Sequence, residues 1–297
     1  MRIAVTGGTG FVGKAVVSEL LERGHQVRIL ARSRQEQADS DRLSYHTGSV
    51  VTGEGLNTFL NGSDAVVHLV GIIKEAGSNT FDAVHHQGTV NVLGAARQAK
   101  IQRYLHMSAL GTREGAMSGY HRSKWAGEEA VRESGLAWTI FRPSIIFGPE
   151  DAFINMLADT LRITPVMPVF GGGQSRMQPV HVQDVAASFA AALERPGCIG
   201  KVYELGGPDV LSFKDILHIT AQTIDKKRYF IPVPFWMVKP PVSAMQAIGI
   251  PLPVTSDQLQ MLQEDNIRKG GDDITELGIV WTGFEEGIRS YLGSKRE

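Results

Sequence analysis

The sequence has a single cysteine, Cys198, among 297 residues, which excludes an internal disulfide framework and a four-cysteine zinc site. It also lacks an excess of either charge, because 30 Lys and Arg residues balance 31 Asp and Glu residues to a formal net charge of −1. Proteins that bind nucleic acid through phosphate contacts depend on a basic surface. The composition therefore predicts no nucleic-acid partner.

Long apolar runs are lacking as well. No stretch of about 18 consecutive apolar residues occurs, so no transmembrane helix is expected. The first residues, MRIAVTG at 1–7, indicate a β-strand of the fold rather than a signal peptide. We expect a cytoplasmic protein, or one that lies peripherally on the cytosolic side of a membrane.

Glycine is abundant, with 33 residues, and it stands between short apolar runs and segments with helical spacing. These two kinds of segment alternate through the first half of the chain, which predicts βαβ units, a parallel sheet and right-handed crossovers. The fold class is therefore α/β, with a Rossmann-type doubly wound parallel sheet. Strands are expected at 3–6, 27–31, 43–46, 65–70, 104–108 and 137–141, and helices at 11–23, 84–100 and 120–134.

A glycine-rich loop follows the first strand and opens the first helix. Gly7, Gly10 and Gly13 form G-x-x-G-x-x-G, and Gly8 with the last two forms G-x-G-x-x-G. Such glycines allow a tight turn, close approach of the backbone to a pyrophosphate, and close contact between helix and sheet. The helix dipole then favours the phosphates. We predict a nucleotide site made by Gly7, Thr9, Gly10, Phe11, Val12 and Gly13.

The residue after the second strand indicates which nucleotide binds. A carboxylate some 20 residues beyond the loop would accept a hydrogen bond from the ribose 2′-OH of NAD. This chain has Arg32 there and no acidic residue before Glu36. An arginine can bind a 2′-phosphate through charge-assisted hydrogen bonds, so NADP(H) is favoured over NAD(H). Ser49 stands where many such folds carry an Asp for the adenine amino group.

The pattern changes after Gly148, where the alternation becomes irregular. We expect residues 1–150 to form the NADP(H)-binding domain and residues 151–297 to form a smaller mixed substrate lobe, which returns a strand near 201–205 to the sheet. The apolar segment 235–248 predicts a helix that caps this lobe, a lid over a hydrophobic substrate, or an edge that rests on a membrane or a partner.

The remaining polar candidates predict no metal site. His85 and His86 are adjacent, so they point to different faces of a helix, and no second ligand pair stands at zinc spacing. We expect this pair to contact the cofactor pocket. Asn91 is expected to link backbone segments beside the site or to be a polar core residue. Cys198 is expected to be an inert thiol.

Several motifs resemble those of one family. They are TGGTGFVG at 6–13, DAVVHLVG at 64–71, YHRSK at 120–124, WTIFRPSIIFG at 138–148 and MQPVHVQDVA at 177–186. Together they resemble the extended or atypical short-chain dehydrogenase/reductases, which include NAD-dependent epimerases and dehydratases. SKWAGEE at 123–129 and the segment from Ser256 to Asn266 narrow this to bacterial relatives of the NAD(P)-binding accessory subunit of respiratory complex I.

This resemblance implies a set of site residues. Tyr120 and Lys124 would be the acid/base pair, since residues four apart share one face of a helix. Lys124, together with the positive charge of an oxidised nicotinamide, would lower the pKa of Tyr120 from about 10 towards working pH. Lys124 could also bind the ribose hydroxyls. Further cofactor contacts would come from Leu69, Val70, Gly71, Pro143 and Ser144.

Two departures from the family pattern leave the function open. The family usually has a Ser or Thr directly after the serine that ends the fifth strand, and this chain has Ala109 there, so Ser108 is the remaining hydroxyl donor. The segment from Ser108 to Tyr120 is also short. The leading hypothesis is an NADP(H)-binding oxidoreductase for a carbonyl or alcohol, with a lipophilic or quinone-like substrate. The alternatives are a non-catalytic NADP(H)-binding structural or redox-sensing subunit of a respiratory assembly, and a sugar-nucleotide epimerase or dehydratase.

Overall fold

The computed structural model describes residues 1–33, 40–234, 237, 261 and 263–293. Contacts between residues divide the chain into two compact units. The first unit comprises Met1–Pro143, Val182–Leu205 and Lys269–Val280, and the second comprises Ser144–His181, Gly206–Arg268 and Trp281–Glu297. The chain therefore passes between the units more than once. The division into one domain before and one after residue 150 stays a prediction.

The elements are numbered in chain order within the described residues. The strands are β1 (Arg2–Thr6), β2 (Gln26–Ala31), β3 (Leu43–Thr47), β4 (Ala65–His68), β5 (Arg103–Met107), β6 (Ala137–Pro143), β7 (Ile146–Phe147), β8 (Val166–Phe170), β9 (Arg176–Met177), β10 (Val180–His181), β11 (Lys201–Leu205), β12 (Leu211–Ser212) and β13 (Tyr229–Val233). The α-helices are α1 (Phe11–Glu22), α2 (Leu56–Leu60), α3 (Gly88–Gln98), α4 (Gly119–Arg132), α5 (Phe153–Ile163), α6 (Val182–Glu194), α7 (Phe213–Thr223) and α8 (Phe284–Leu292).

The first unit is built on a seven-stranded sheet in the order β11-β6-β5-β4-β1-β2-β3, and every neighbouring pair is parallel. The order reverses beside β1, which pairs with β2 on one side and β4 on the other. This is the doubly wound α/β fold that the sequence predicts. In such a sheet, ligands bind outside the carboxyl ends of the strands where the order reverses.

Apolar residues explain why these strands occupy the centre of the unit. Ile3, Ala4 and Val5 of β1 are fully buried, as expected for a parallel strand covered on both faces. Helix α1 packs beside α6, and α3 packs beside α2 and α4. The α3 and α4 layer shares a core with the sheet, to which Leu60, Val66, Val92, Ala96, Tyr104, Val131 and Ile140 contribute.

The boundaries differ from the predictions where backbone geometry changes. Strand β4 ends at His68, two residues earlier than expected, and β6 extends two residues further, to Pro143. The helix expected at 84–100 begins with a π-helical turn, Asp82–Gln87, before the regular α3. Single π-helical turns are uncommon and occur frequently at functional sites.

The second unit has its own apolar core and three small two-stranded sheets, β7–β10, β9–β12 and β8–β13. Helices α5, α7 and α8 pack around Phe147, Leu157, Ile216 and Phe284. No helix among the described residues is long and apolar enough to cross a membrane. Apart from Met237, the segment 235–248 lies outside the described residues, so the expectations for it stay predictions.

Candidate active site

The glycine loop joins β1 to α1 along a backbone path that side chains would block. Gly7 has a positive φ of 78°, and the Gly10 N–H donates to the Gly7 carbonyl at 3.1 Å. A Cβ atom at Gly13 would lie 2.0 Å from the Gly7 oxygen and 2.6 Å from Gly8 Cα. Only glycine fits at position 13. The last glycine of a dinucleotide-binding loop likewise allows close contact between the helix and the strand.

The beginning of α1 fits a phosphate group. Gly10 is the N-cap residue, and no side chain caps the first turn. The first N–H groups of an α-helix have no partner within the helix, and the positive end of the dipole lies there. Thr9 and Gly10 are exposed, so the loop is accessible from solvent. The assignment of a pyrophosphate to Gly7, Thr9, Gly10, Phe11, Val12 and Gly13 stays a prediction.

Arg32 directly follows β2, the strand that pairs with β1. Its side chain is exposed at the carboxyl end of the sheet, on the side of β1 where an adenosine ribose binds in folds of this class. A guanidinium in this position is accessible to a 2′-phosphate. The preference for NADP(H) stays a prediction.

Four segments meet around Lys124 of α4. The Lys124 Nζ atom donates to the carbonyl of Met107 at the end of β5, at 3.0 Å. A Cβ atom at Gly71, just beyond β4, would lie 3.0 Å from the same Nζ and 3.6 Å from Nε2 of His85. The structure therefore brings the predicted residues Gly71 and Lys124 together and adds the Met107 carbonyl. Burial lowers the pKa of Lys124 to about 8, although the negative charge of Glu128 acts to raise this pKa.

Tyr120 lies one turn before Lys124, in the first turn of α4. Its ring contacts three other rings, with centroid distances of 5.9 Å to Phe81, 5.3 Å to His85 and 5.2 Å to His121. Burial raises the pKa of Tyr120 to about 12. The sequence led us to expect a lowered pKa from Lys124 and an oxidised nicotinamide. The protein's own groups act in the opposite direction, because the phenolate would be poorly solvated.

His85, on the π-helical turn, connects the end of β4 to α4. Its Nε2 atom accepts from the Ile72 N–H at 3.0 Å, and its Nδ1 atom lies 2.8 Å from Oγ of Ser123. Burial and the nearby Lys124 lower the pKa of His85 to about 2, so the ring is neutral at neutral pH. His86 is partly exposed and bonds to Asp82 at 3.1 Å. Of the pair, His85 is thus the one that contacts the segments around Lys124, and its contact with a cofactor pocket stays a prediction.

The segment after β5 carries the Ser108 hydroxyl, the remaining hydroxyl donor where the family usually has a second Ser or Thr. Ser108 is buried, and its Oγ donates to Oγ1 of Thr112 at 3.3 Å. Ala109 is also buried. The Ser108 hydroxyl is therefore engaged with a neighbour within the same loop, and Thr112 is a second hydroxyl beside it that the sequence analysis did not single out.

The other predicted residues have structural contacts. The Pro143 carbonyl accepts from the Leu110 N–H at 2.8 Å at the end of β6. Ser144 belongs to the second unit, where its Oγ donates to Oδ1 of Asn266 at 2.5 Å. Asn91 donates from Nδ2 to the carbonyl of Val50 at 2.8 Å, so it links backbone segments as predicted.

Leu69 continues β4, and its N–H donates to the Thr6 carbonyl at 3.0 Å. A Cβ atom at Gly7 would lie 3.1 Å from the Val70 nitrogen, so the glycine loop and the end of β4 are in contact. Cys198 is buried and forms no disulfide. Within the described residues, no group of three or more His, Cys, Asp or Glu side chains is arranged to hold a metal ion.

Sequence reasoning missed the hydrogen bonds that hold this arrangement. Thr6 Oγ1 lies 2.6 Å from His68 Nδ1, and His68 Nε2 lies 3.2 Å from Oγ1 of Thr89. The Thr89 hydroxyl donates to the carbonyl of His85 at 2.7 Å. Buried polar residues at strand ends and on the facing helix were the available signal, because polar side chains are seldom buried without a partner.

Known proteins match this chain over most of its length. Residues 3–206 match the NAD dependent epimerase/dehydratase family. The chain belongs to that family. The match covers the sheet from β1 to β11 except Arg2, and it includes the glycine loop, Tyr120 and Lys124. The fold is accordingly an NAD(P)-binding Rossmann fold, in a family with oxidoreductase chemistry.

The relatives that match this chain differ in the activities that their names describe. The subunit 9 of the NADH dehydrogenase (ubiquinone) 1 alpha subcomplex of Arabidopsis thaliana, a mitochondrial protein, is 32% identical over 88% of this chain and 68% of its own length. A ceramide reductase of Caulobacter vibrioides is 34% identical over 65% of this chain and 61% of its own length. The chain thus spans about two thirds of the length of these relatives.

A third relative, from Stigmatella aurantiaca, is a 4-hydroxy-2-methyl-3-oxo-4-farnesyl-3,4-dihydroquinoline-1-oxide ketoreductase, 29% identical over 79% of this chain and 77% of its own length. Among solved structures, the dTDP-glucose 4,6-dehydratase DesIV of Streptomyces venezuelae, with NAD bound, has a TM-score of 0.67 and 25% identity. It covers 79% of this chain and 84% of its own. Reductases, a dehydratase and a respiratory subunit therefore share this fold.

Proposed function

We propose that this protein is an NADP(H)-dependent oxidoreductase that acts on a carbonyl or alcohol group of a lipophilic or quinone-like substrate. The observation that carries the proposal is the placement of Tyr120 and Lys124 one turn apart on α4. Lys124 reaches the Met107 carbonyl at 3.0 Å at the end of β5. This edge of the sheet, beside Gly71 and the glycine loop, is where a doubly wound fold binds its dinucleotide.

The nicotinamide supplies the hydride in such a reaction, and the chain supplies the proton and the charge. Tyr120, with a pKa raised to about 12, keeps its proton at neutral pH and can donate it to a substrate oxygen. Lys124, with a pKa of about 8, is mostly charged at neutral pH. Its ammonium group can bind ribose hydroxyls and stabilise negative charge that develops near Tyr120.

The choice of NADP(H) is supported by Arg32 and by the lack of an acidic residue directly after β2. Titration of the protein with NADPH and NADH, followed by nucleotide fluorescence, tests it. We expect NADPH to bind more tightly, and Arg32→Ala to lose roughly tenfold in NADPH affinity, the loss of one charge-assisted contact. NADH affinity should stay within about twofold. A preference for NADH, unchanged by Arg32→Ala, would contradict the assignment.

A lipophilic or quinone-like substrate is supported by two relatives, whose names describe a ceramide and a farnesylated quinoline oxide. The apolar sequence at 235–248 is consistent with such a substrate. The test is oxidation of NADPH with a panel of long-chain ketones, prenylated quinones and nucleotide sugars. Turnover with a lipophilic carbonyl that Tyr120→Phe abolishes while NADPH still binds would support the proposal. Conversion of a nucleotide sugar without net oxidation of NADPH, detected by chromatography of the sugar, would favour the epimerase or dehydratase alternative.

A non-catalytic NADP(H)-binding subunit of a respiratory assembly is the second candidate. It is favoured by Ala109 and by the Ser108 hydroxyl, which is engaged with Thr112. The Arabidopsis relative is named as a subunit of NADH dehydrogenase. A location at the surface of the membrane that carries such an assembly belongs to this candidate. It predicts tight NADPH binding, no turnover with any member of the panel, and recovery with a respiratory complex from membranes; robust Tyr120-dependent turnover would exclude it.

A further inference from the structure

His85 is a buried histidine that joins three parts of the candidate site. It is 1% exposed. Its ring stacks on Phe81 at a centroid distance of 5.6 Å and an interplanar angle of 16°, and it meets the Tyr120 ring edge-on at 5.3 Å and 89°. One ring nitrogen contacts the backbone after Gly71, and the other contacts Ser123 of α4.

The hydrogen bonds determine which tautomer His85 adopts. The Ile72 N–H can only donate, so Nε2 of His85 accepts and carries no proton. The ring is neutral, so the proton is on Nδ1, which donates to Ser123 Oγ at 2.8 Å. The Ser123 hydroxyl in turn donates to the Tyr120 carbonyl at 2.8 Å. Every donor in this series points from the β4 side towards the first turn of α4.

A second series of hydrogen bonds fixes the backbone of His85 from the opposite side. The Thr89 hydroxyl has one proton, which it donates to the His85 carbonyl at 2.7 Å. It must therefore accept from Nε2 of His68, whose Nδ1 accepts from the Thr6 hydroxyl at 2.6 Å. Thr6 is the last residue of β1, directly before Gly7. Hydrogen bonds thus connect His85 to the strand before the glycine loop, to the segment after β4 and to Tyr120.

We propose that His85, as the Nδ1–H tautomer, is a positioning residue: its Nε2 atom holds the Gly71–Ile72 backbone in the place that a bound dinucleotide needs, and its Nδ1 atom holds the first turn of α4, which carries Tyr120. The proposal rests on the proposed function. His85 acts through its neighbours: Nε2 fixes Ile72, next to the predicted cofactor contact Gly71, and Nδ1 fixes Ser123 and through it Tyr120. These are separate bonds, so separate variants can remove them.

Two substitutions of His85 each remove one of the two hydrogen bonds and keep the other. In His85→Asn the side-chain amide can take the place of Nδ1 and donate to Ser123, while Ile72 loses its acceptor. In His85→Gln the side-chain carbonyl can take the place of Nε2 and accept from Ile72, while Ser123 loses its donor. Ser123→Ala removes the second bond from the other partner. His86→Asn is the matched control, because the ring of His86 bonds to Asp82 of its own turn and not to Ile72 or Ser123.

The first measurement needs no nucleotide and no variant. In a protein labelled with ¹⁵N-histidine, NMR should show the His85 ring with its proton on Nδ1, the less common neutral tautomer in free histidine. It should keep this form from roughly pH 5 to pH 8, the range in which ordinary histidines titrate. A proton on Nε2, or protonation of the ring in that range, would overturn the proposal.

The second measurement compares the variants. Hydrogen exchange of the Ile72 amide should become about fivefold faster in His85→Asn and stay unchanged in His85→Gln, since one hydrogen bond is worth about 1 kcal/mol. Exchange in the first turn of α4 should show the reverse, with Ser123→Ala behaving like His85→Gln. NADPH affinity should fall about fivefold in His85→Asn and stay within about twofold in His85→Gln and His86→Asn.

The outcomes separate this proposal from the proposed function. Equal effects of His85→Asn and His85→Gln on both amides and on NADPH affinity would mean that His85 only fills space, and would overturn the proposal. Wild-type protein that binds neither NADPH nor NADH would overturn the proposed function and with it the role of His85 at a dinucleotide. In that case the tautomer and exchange data would still report the two hydrogen bonds.

Discussion

The α-carbon of Gly127 in α4 packs against the carbonyl of His85 so closely that a Cβ atom at position 127 would lie 2.5 Å from that oxygen. Helix α4 can therefore approach the π-helical turn only because residue 127 has no side chain. The same carbonyl accepts the Thr89 hydroxyl. This contact determines how near Tyr120 and Lys124, both on α4, lie to the residues that follow β4.

Gly127→Ala is expected to lower the free energy of unfolding by about 1–3 kcal/mol, the usual cost of forcing a methyl group into a packed contact. It should also weaken NADPH binding, because α4 must move away from His85. Denaturant unfolding and a fluorescence titration measure the two effects. Gly94→Ala in α3 is the control: apart from the backbone of α3 itself, no atom of the described residues lies within 4 Å of its Cβ position, so it should stabilise the helix by about 0.5–1 kcal/mol. Equal stability changes in both variants would contradict the prediction.

Gly13→Ala and Gly10→Ala should separate two properties of the glycine loop. A Cβ atom would lie 2.0 Å from the Gly7 oxygen at position 13 but 3.4 Å from it at position 10. Gly13→Ala should therefore lower the free energy of unfolding by at least about 1–3 kcal/mol, whereas Gly10→Ala should change it by less than about 0.5 kcal/mol. Both should weaken NADPH binding. Denaturant unfolding would contradict this prediction if Gly13→Ala were as stable as Gly10→Ala.

The sequence predicted those parts of the site that depend on short spacing and on the topology of parallel sheets. The glycine loop is contiguous, and Tyr120 and Lys124 are one helical turn apart, so their relation follows from the helix period. The meeting of Gly71, Met107 and α4 follows from β4 and β5 being neighbours with the same direction. Right-handed crossovers leave few other arrangements of these segments.

The rest depended on packing that spacing does not reveal. His85 and Ser123 are far apart in sequence, and their contact requires the π-helical turn and the missing side chain at Gly127. The pKa of Tyr120 was expected to fall towards working pH beside Lys124 and an oxidised nicotinamide, whereas burial in the protein alone raises the pKa to about 12. Burial depends on the residues that surround Tyr120 in the folded protein. A motif that contains only Tyr and Lys therefore cannot predict whether the pKa of the Tyr rises or falls.

His68 should make the protein sensitive to mild acid. Burial, with a smaller contribution from Lys124, lowers the pKa of His68 to about 3 from an ordinary value of 6.5. Below pH 6.5 the unfolded chain binds a proton that the folded chain does not. The free energy of unfolding therefore falls as the pH drops from 6.5 to 3, with a slope that approaches about 1.4 kcal/mol per pH unit for this residue in the middle of that range.

His68→Gln should remove this contribution. The variant should be less stable at pH 7, because it alters the bonds to Thr6 and Thr89. Between pH 6.5 and pH 5.5, however, its free energy of unfolding should fall by about 1 kcal/mol less than that of the wild type. Urea unfolding at the two pH values measures the difference, and an unchanged pH dependence would show that His68 is protonated in the folded protein.

Lys124 should reduce stability at neutral pH. It is 2% exposed, and burial lowers its pKa to about 8 from 10.5. Below pH 8 the lysine is charged in both states, so the full cost of burying the charge is present. As the pH rises from 8 to 10.5 the folded protein releases its proton first, and this cost disappears.

Lys124→Met should therefore raise the free energy of unfolding at pH 7 by about 1–2 kcal/mol. The shift in pKa corresponds to a larger gain, but the bond to the Met107 carbonyl is lost. The gain should disappear by about pH 10, while NADPH binding should be weaker throughout. Denaturant unfolding at pH 7 and pH 10 tests both statements. A variant that is less stable than the wild type at pH 7 would mean that Lys124 stabilises the folded protein. The conclusion that burying this charge at the candidate site lowers the stability of the protein would then be wrong.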